Sequence, residues 1–265
     1  MDVMTNLTVS GTPVVNTTYS GGTGTRTLVF AGTAGGTEAN SISVNVSAGT
    51  DIVGLYGTAL KNVNFTGFSG TWNANTRTIY GNLTISAGMT LAAGAPVTTF
   101  SGASGTKTIT MNNKTADFPL VFNGAGSTFA FADALTQGST RAFIITDGVV
   151  QLKNGTTNTV GSFATGAGTT QRFLQSTVAG SQATISASSA SAATYLTVQD
   201  IAATGAATWT ASAASGNVNA GNNSGWNFGE YAASGLSRGT GLYIGQQGLW
   251  GGNSGLWGGF SGLTD

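Results

Sequence analysis

Three aspartates, Asp117, Asp133 and Asp147, and three cations, Lys107, Lys114 and Arg141, are the side chains whose types and spacing could do chemistry in this 265-residue chain. Two carboxyl groups roughly 5 to 10 Å apart suffice to cleave a glycan, one as general acid and the other as base or nucleophile. A cation in the same groove would serve elimination on an acidic sugar. The separations of the aspartates, 16 and 14 residues, share no common repeat, so the sequence does not bring them to one groove. Asp133 between two alanines and Asp147 before Gly148 also read as turn caps, whose carboxylates bond nearby backbone. Isolated Lys and Arg on a polar strand read as solvated positions. The segment from Gly102 to Thr108 looks like a phosphate-binding loop, but Thr106 interrupts its Gly-Lys adjacency and no helix signal follows.

Composition removes most other chemistry. His and Cys are both absent, which excludes imidazole bases, thiol nucleophiles, the usual zinc sites and every disulfide. Serine is abundant, yet no histidine exists to take its proton. Lys and Arg number 9 against 9 Asp and Glu, scattered and balanced, so no basic stripe offers itself to nucleic acid or to an anionic membrane. No apolar run approaches the roughly 18 residues of a membrane helix. No cofactor, metal or catalytic residue is expected. Asn-x-Ser/Thr sequons, such as those at Asn64 and Asn82, follow from the abundance of both residue types. Thr-x-Thr pairs such as Thr106 and Thr108 lack the regular array of an ice-binding surface.

What remains is an architecture. Gly occupies 42 positions and charged residues only 7%, against about 25% in an ordinary soluble domain. Short runs of Val, Ile, Thr and aromatics alternate between Gly- and Asn-rich breaks, the signature of strands. From Ser41 to Ser47, Ile42, Val44 and Val46 fall on one face and Ser41, Ser43, Asn45 and Ser47 on the other. Further strands are expected at 28–30, 78–85, 97–100, 106–111, 120–122, 129–131, 141–146, 149–152, 159–163, 172–176, 183–187, 194–199 and 207–211. Asn123-Gly124 and Asn154-Gly155 read as tight turns. Tyr80, Phe100, Phe122, Phe143 and Phe163 are spaced by 20, 22, 21 and 20 residues, and Ile185 follows after 22. A solenoid coil has about that length, so these side chains are expected to stack as an internal ladder. The reading is an all-β, right-handed parallel β-helix, with an antiparallel β-sandwich as the alternative.

The chain divides into a β-rich N-terminal part (1–60), the β-helix body (61–204), a capping segment (205–230) carrying Trp209, Trp226 and Phe228, and a tail (231–265). A cap is expected because a last coil presents unpaired backbone. In the tail, Gly-Leu recurs at 235, 241, 248, 255 and 262, separated by 6, 7, 7 and 7. So many glycines disfavour a helix by about 1 kcal/mol each relative to Ala, which points to an extended segment. Alone it cannot bury Leu242, Leu249, Trp250, Leu256, Trp257, Phe260 and Leu263, so these are expected to dock on the parent domain or on another copy. The first residues show neither a cationic n-region nor an apolar h-region, so export by a classical signal is not expected. Release by host lysis fits this surface better.

The stretches 70–85, 138–156 and 195–228, with Gly70-Thr71-Trp72-Asn73, Tyr80-Gly81-Asn82 and Asn222-Asn223-Ser224-Gly225-Trp226-Asn227-Phe228, resemble Gly/Thr/Asn-rich virion proteins of tailed bacteriophages. The resemblance covers roughly residues 60 to 230, and bacterial surface adhesins and filaments share the style. It implies a non-enzymatic decoration or fibre subunit on the virion surface, often a homotrimer, held to other capsid or tail proteins, and it transfers no catalytic residue. The alternatives are a tailspike that binds or cleaves a host surface glycan, and a bacterial adhesin or filament subunit.

Overall fold

The computed structural model describes residues 14–17, 27–31, 37–50, 52–56 and 59–229. Among them the only helical pieces are two 3-10 turns, Glu38–Asn40 and Ala213–Ser215. Every pairing between the strands is parallel, and each partner lies about one coil further along: Leu60 beside Ile79, Phe100 beside Phe122, Leu174 beside Val198. Parallel neighbours cannot be joined by a tight hairpin, so the chain must travel round before pairing again. Repeated in one direction this gives a parallel β-solenoid of about eight turns. The antiparallel pairing that a sandwich requires is not what these strands do.

A full turn passes through three faces. On the first stack Ala59–Asn64, Arg77–Ile79, Thr98–Phe100 and the opening parts of Leu120–Phe131 and Ala142–Leu152. On the second lie Gly105–Thr110, the closing parts of those two long strands, then Arg172–Ser176, Leu196–Gln199 and Val218–Asn219. The third carries Thr115–Ala116, Thr136–Gln137, the opening of Thr157–Thr165, Ala183–Ala190 and Ile201–Gly205. Earlier turns contribute a separate run of Thr27–Ala31, Ile52–Tyr56, Thr71–Trp72 and Thr90–Leu91. Strict alternation fills the interior: in Arg172–Ser176, the first, third and fifth residues are buried and the two between them are half-exposed.

Several local expectations change in the folded chain. The runs 120–122 and 129–131 are one strand bent at a corner, where the register shifts on either side of Asn123, so Asn123-Gly124 is a corner and not a tight turn. The runs 141–146 and 149–152 are likewise continuous. They turn at Gly148, whose φ of 86° and close approach to the Gly124 carbonyl leave no room for a Cβ. The run 78–85 breaks into Arg77–Ile79 and Leu83–Thr84, and 207–211 keeps only the bridge from Thr210 to Asn227. Ser41 is buried instead of facing out, because its hydroxyl donates to the Glu38 carbonyl, 2.7 Å away, and closes the preceding 3-10 turn. Asn154-Gly155 does turn, with Gly155 at φ 65°.

Parallel pairing also crosses the division placed at residue 60. Ala59–Asn64 pairs backward with Ile42–Val46 and forward with Arg77–Ile79. Beyond residue 204, Val218–Asn219 pairs with Leu196–Gln199 and Ser224 bridges Ala202, so the segment is built as further turn.

Candidate functional site

The residues singled out by sequence fall into two groups. Leu242, Leu249, Trp250, Leu256, Trp257, Phe260 and Leu263 lie outside the described residues. Phe100, Phe122, Phe143 and Phe163 are buried in the solenoid and form a continuous ring column. Phe100 and Phe122 are parallel at 5.3 Å, Phe122 and Phe143 meet at 5.0 Å, and Phe143 and Phe163 at 6.3 Å. Tyr80 is not part of it. Ile79 holds the position in register with Phe100, so Tyr80, one residue on, points to the opposite side and is half-buried. Burial first, and then the charge of Glu38, push its hydroxyl above the ordinary tyrosine range.

The column is less regular than the sequence spacing. Phe122 pairs with Ile145, and Phe143 with Leu120, so the stack steps two residues sideways between these turns. Above Phe163 the position in register is Ala190, which is small, and Trp209 fills the space at 5.4 Å from the Phe163 ring. Ile185 is buried, but on the third face between Asn158 and Ala203. Trp226 and Phe228 continue the stack, at 4.9 Å from Trp209 and 6.3 Å from Trp226 respectively. The three residues read as a cap thus extend the ladder. A second aromatic group, Phe65, Phe68, Trp72 and Phe118, packs nearer the start of the described chain.

Two arginines that the sequence gave no reason to notice are buried. Arg77 is 2% exposed and lies over the Trp72 ring, 3.8 Å from its centroid, and over Phe118 at 5.0 Å. Its Nε donates to Thr98 Oγ1 at 2.8 Å and its Nη1 to the Asn73 carbonyl at 2.9 Å. Desolvation pulls its pKa down to about 9, still above neutrality, so the cation is kept and ring faces stand in for a counter-ion. Arg172 donates to the carbonyls of Thr146, Ala167 and Thr194, tying together neighbouring turns. Burial lowers its pKa, and Asp147 opposes that shift.

The candidate catalytic side chains are dispersed into separate contacts. Asp117 accepts from Arg141 Nε at 2.7 Å. Asp133 accepts from the backbone of Met111 and Asn112 in the turn below, and Asp147 from Gly148 N at 2.7 Å. Glu38 holds Ala103 N at 2.9 Å and Lys107 at 3.7 Å, linking residues far apart in sequence. Asp200, at φ 57°, accepts from Gly180 N and Asn222 Nδ2. Among the described residues no three acidic side chains gather closely enough to hold a metal ion.

Amides perform the same service at corners where strand pairing lapses. Asn158 Oδ1 accepts from Leu135 N, Asn217 Oδ1 from Leu196 N and Asn223 Oδ1 from Ile201 N, each reaching across turns. An unpaired buried amide N–H is costly, which is why such positions are filled by Asn and Asp. On the outside of the second face, Gln151, Gln175 and Gln199 line a cleft of about 220 Å³ together with Ser176, Thr177 and Asp200.

No family model matches the chain, and neither does a curated protein or a solved structure. Its function is therefore argued from its own residues.

Proposed function

We propose that this chain is a non-enzymatic structural subunit of a virion surface, a capsid- or tail-attached decoration or fibre element that assembles as a homo-oligomer. The observation that supports it best is the employment of the charged and amide side chains. Asp117, Asp133, Asp200, Arg77 and Arg172, among the groups best suited to chemistry, each brace one turn or corner against another, and Asp147 closes its own corner at Gly148. A stack of turns cross-linked in this way resists bending and local opening, which suits a load-bearing surface element. Its resemblance in sequence to phage virion proteins adds the setting, and the Gly-Leu repeat adds the docking segment.

The tail carries the second half of the proposal. Burying two Trp and three Leu contributes several kcal/mol at about 25 cal/mol per Å², before the cost of ordering the segment. A chain ending at Glu230 is expected to keep the circular dichroism and melting of the full-length protein while losing incorporation into particles in a virion-binding assay. Undiminished attachment of that truncation would overturn the docking role of the tail.

A further inference from the structure

On the outer side of the second face, Gln151 stands beside Gln175, and Gln175 beside Gln199, one glutamine in each of three successive turns. Parallel neighbours are about 4.8 Å apart, so the three amides rise in a column along the stacking direction. In-register amides at that spacing can bond one another into a ladder, but these do not: the backbones pair, while none of the three side chains makes a hydrogen bond among the described residues. They differ in this from Gln137, Asn158, Asn217 and Asn223, whose amides all reach neighbouring backbone. Each glutamine is half-buried, in a cleft whose other walls include Ser176, Thr177 and Asp200. Phe173 is half-buried on the same outward side, two residues before Gln175.

We propose that this column binds a linear, uncharged oligosaccharide lying along the stacking direction, with successive sugars over successive glutamines. An amide offers a donor and an acceptor in one plane, which matches a pair of neighbouring sugar hydroxyls. Phe173 supplies an apolar ring for the C–H face of a pyranose. The turn-to-turn spacing is close to the advance per residue of an extended hexose polymer, so one contact can repeat on each turn. Phosphate or carboxylate ligands would need cations, and the one ionisable group lining the cleft is Asp200, whose negative charge disfavours an acidic chain. That carboxylate is held by Gly180 N at 3.0 Å and Asn222 Nδ2 at 2.6 Å, so the site binds without cleaving. The inference does not depend on the virion role, since the cleft belongs to the solenoid wherever the chain is assembled.

The test is calorimetric titration of the full-length protein with cellohexaose, maltohexaose, isomaltohexaose and chitohexaose, with hexagalacturonate as the acidic comparison. At least one neutral hexamer is expected to bind and hexagalacturonate to be excluded. Gln175→Ala, in the middle of the column, is expected to weaken binding about tenfold or more. Phe173→Ala should do the same, Thr99→Ala on the first face should leave affinity unchanged, and no reducing ends should appear. Failure of all four neutral hexamers to bind at millimolar concentration would overturn the site, as would equal binding of hexagalacturonate or indifference to Gln175→Ala. A change in sedimentation of Gln175→Ala, with no effect on sugar, would mark the column as a contact between copies and also overturn it.

Discussion

Arg77 shows how single residues hold this solenoid together. A charge with no carboxylate beside it is tolerated because two ring faces, a hydroxyl and a carbonyl surround it. Arg77→Ala removes the cation and leaves a void among Trp72, Phe118 and Thr98, and is expected to destabilise by about 3 kcal/mol in urea unfolding. Arg77→Met keeps most of the volume while relieving the desolvation of the charge, so its loss should be smaller by about 1 kcal/mol or more. Equal losses would mean that the filled volume contributes nothing and that the contacts of the charge with the rings, Thr98 and Asn73 account for the whole effect. Nothing in the sequence distinguished Arg77 or Arg172 from the solvated cations expected on strands, because burial of an arginine depends on which side of the strand faces in. The turn-cap reading of Asp147 was available from its neighbour Gly148 alone, whereas Asp133 bonds the backbone of Met111 and Asn112 in the turn below, a contact that local sequence does not show.

At the scale of strands and ladders, the two-residue alternation was legible wherever a run was long enough to show it, and the recurrence of aromatics near 21 residues pointed to stacked turns. Register was not. The position of Tyr80 differs from that of Ile79 by one residue, which on a strand exchanges inside for outside. The sideways step between Phe122 and Phe143 arises from extra residues accommodated at the Asn123 corner, which equal spacing in sequence conceals. A direct contrast follows. Phe122→Ala, at the centre of the ring column, is expected to cost about 4 kcal/mol, whereas Tyr80→Ala should stay within about 1 kcal/mol. Thermal or denaturant unfolding of the two variants checks this, and comparable losses would contradict the assignment of inside and outside. Trp209, Trp226 and Phe228 were recognisable as a closing aromatic group, but their place at the end of the same column depends on Ala190 leaving room above Phe163.

For the whole molecule, continuity of pairing matters more than any one contact. Turns from Val14–Thr17 to Val218–Asn219 are linked strand to strand, and the charged groups reinforce that linkage. The solenoid class was readable because aromatics recur about every 21 residues along a chain of short alternating runs. Backbone pairing runs on past residues 60 and 204, so the stack is continuous there. The proposal that such a body serves as a surface element of a particle is tested most directly by immunogold electron microscopy of intact, purified virions with an antibody raised against residues 59–229. The account predicts gold at regular, symmetry-related positions on capsid or tail; particles that carry no label, alongside free chain in the same lysate that does, would contradict it.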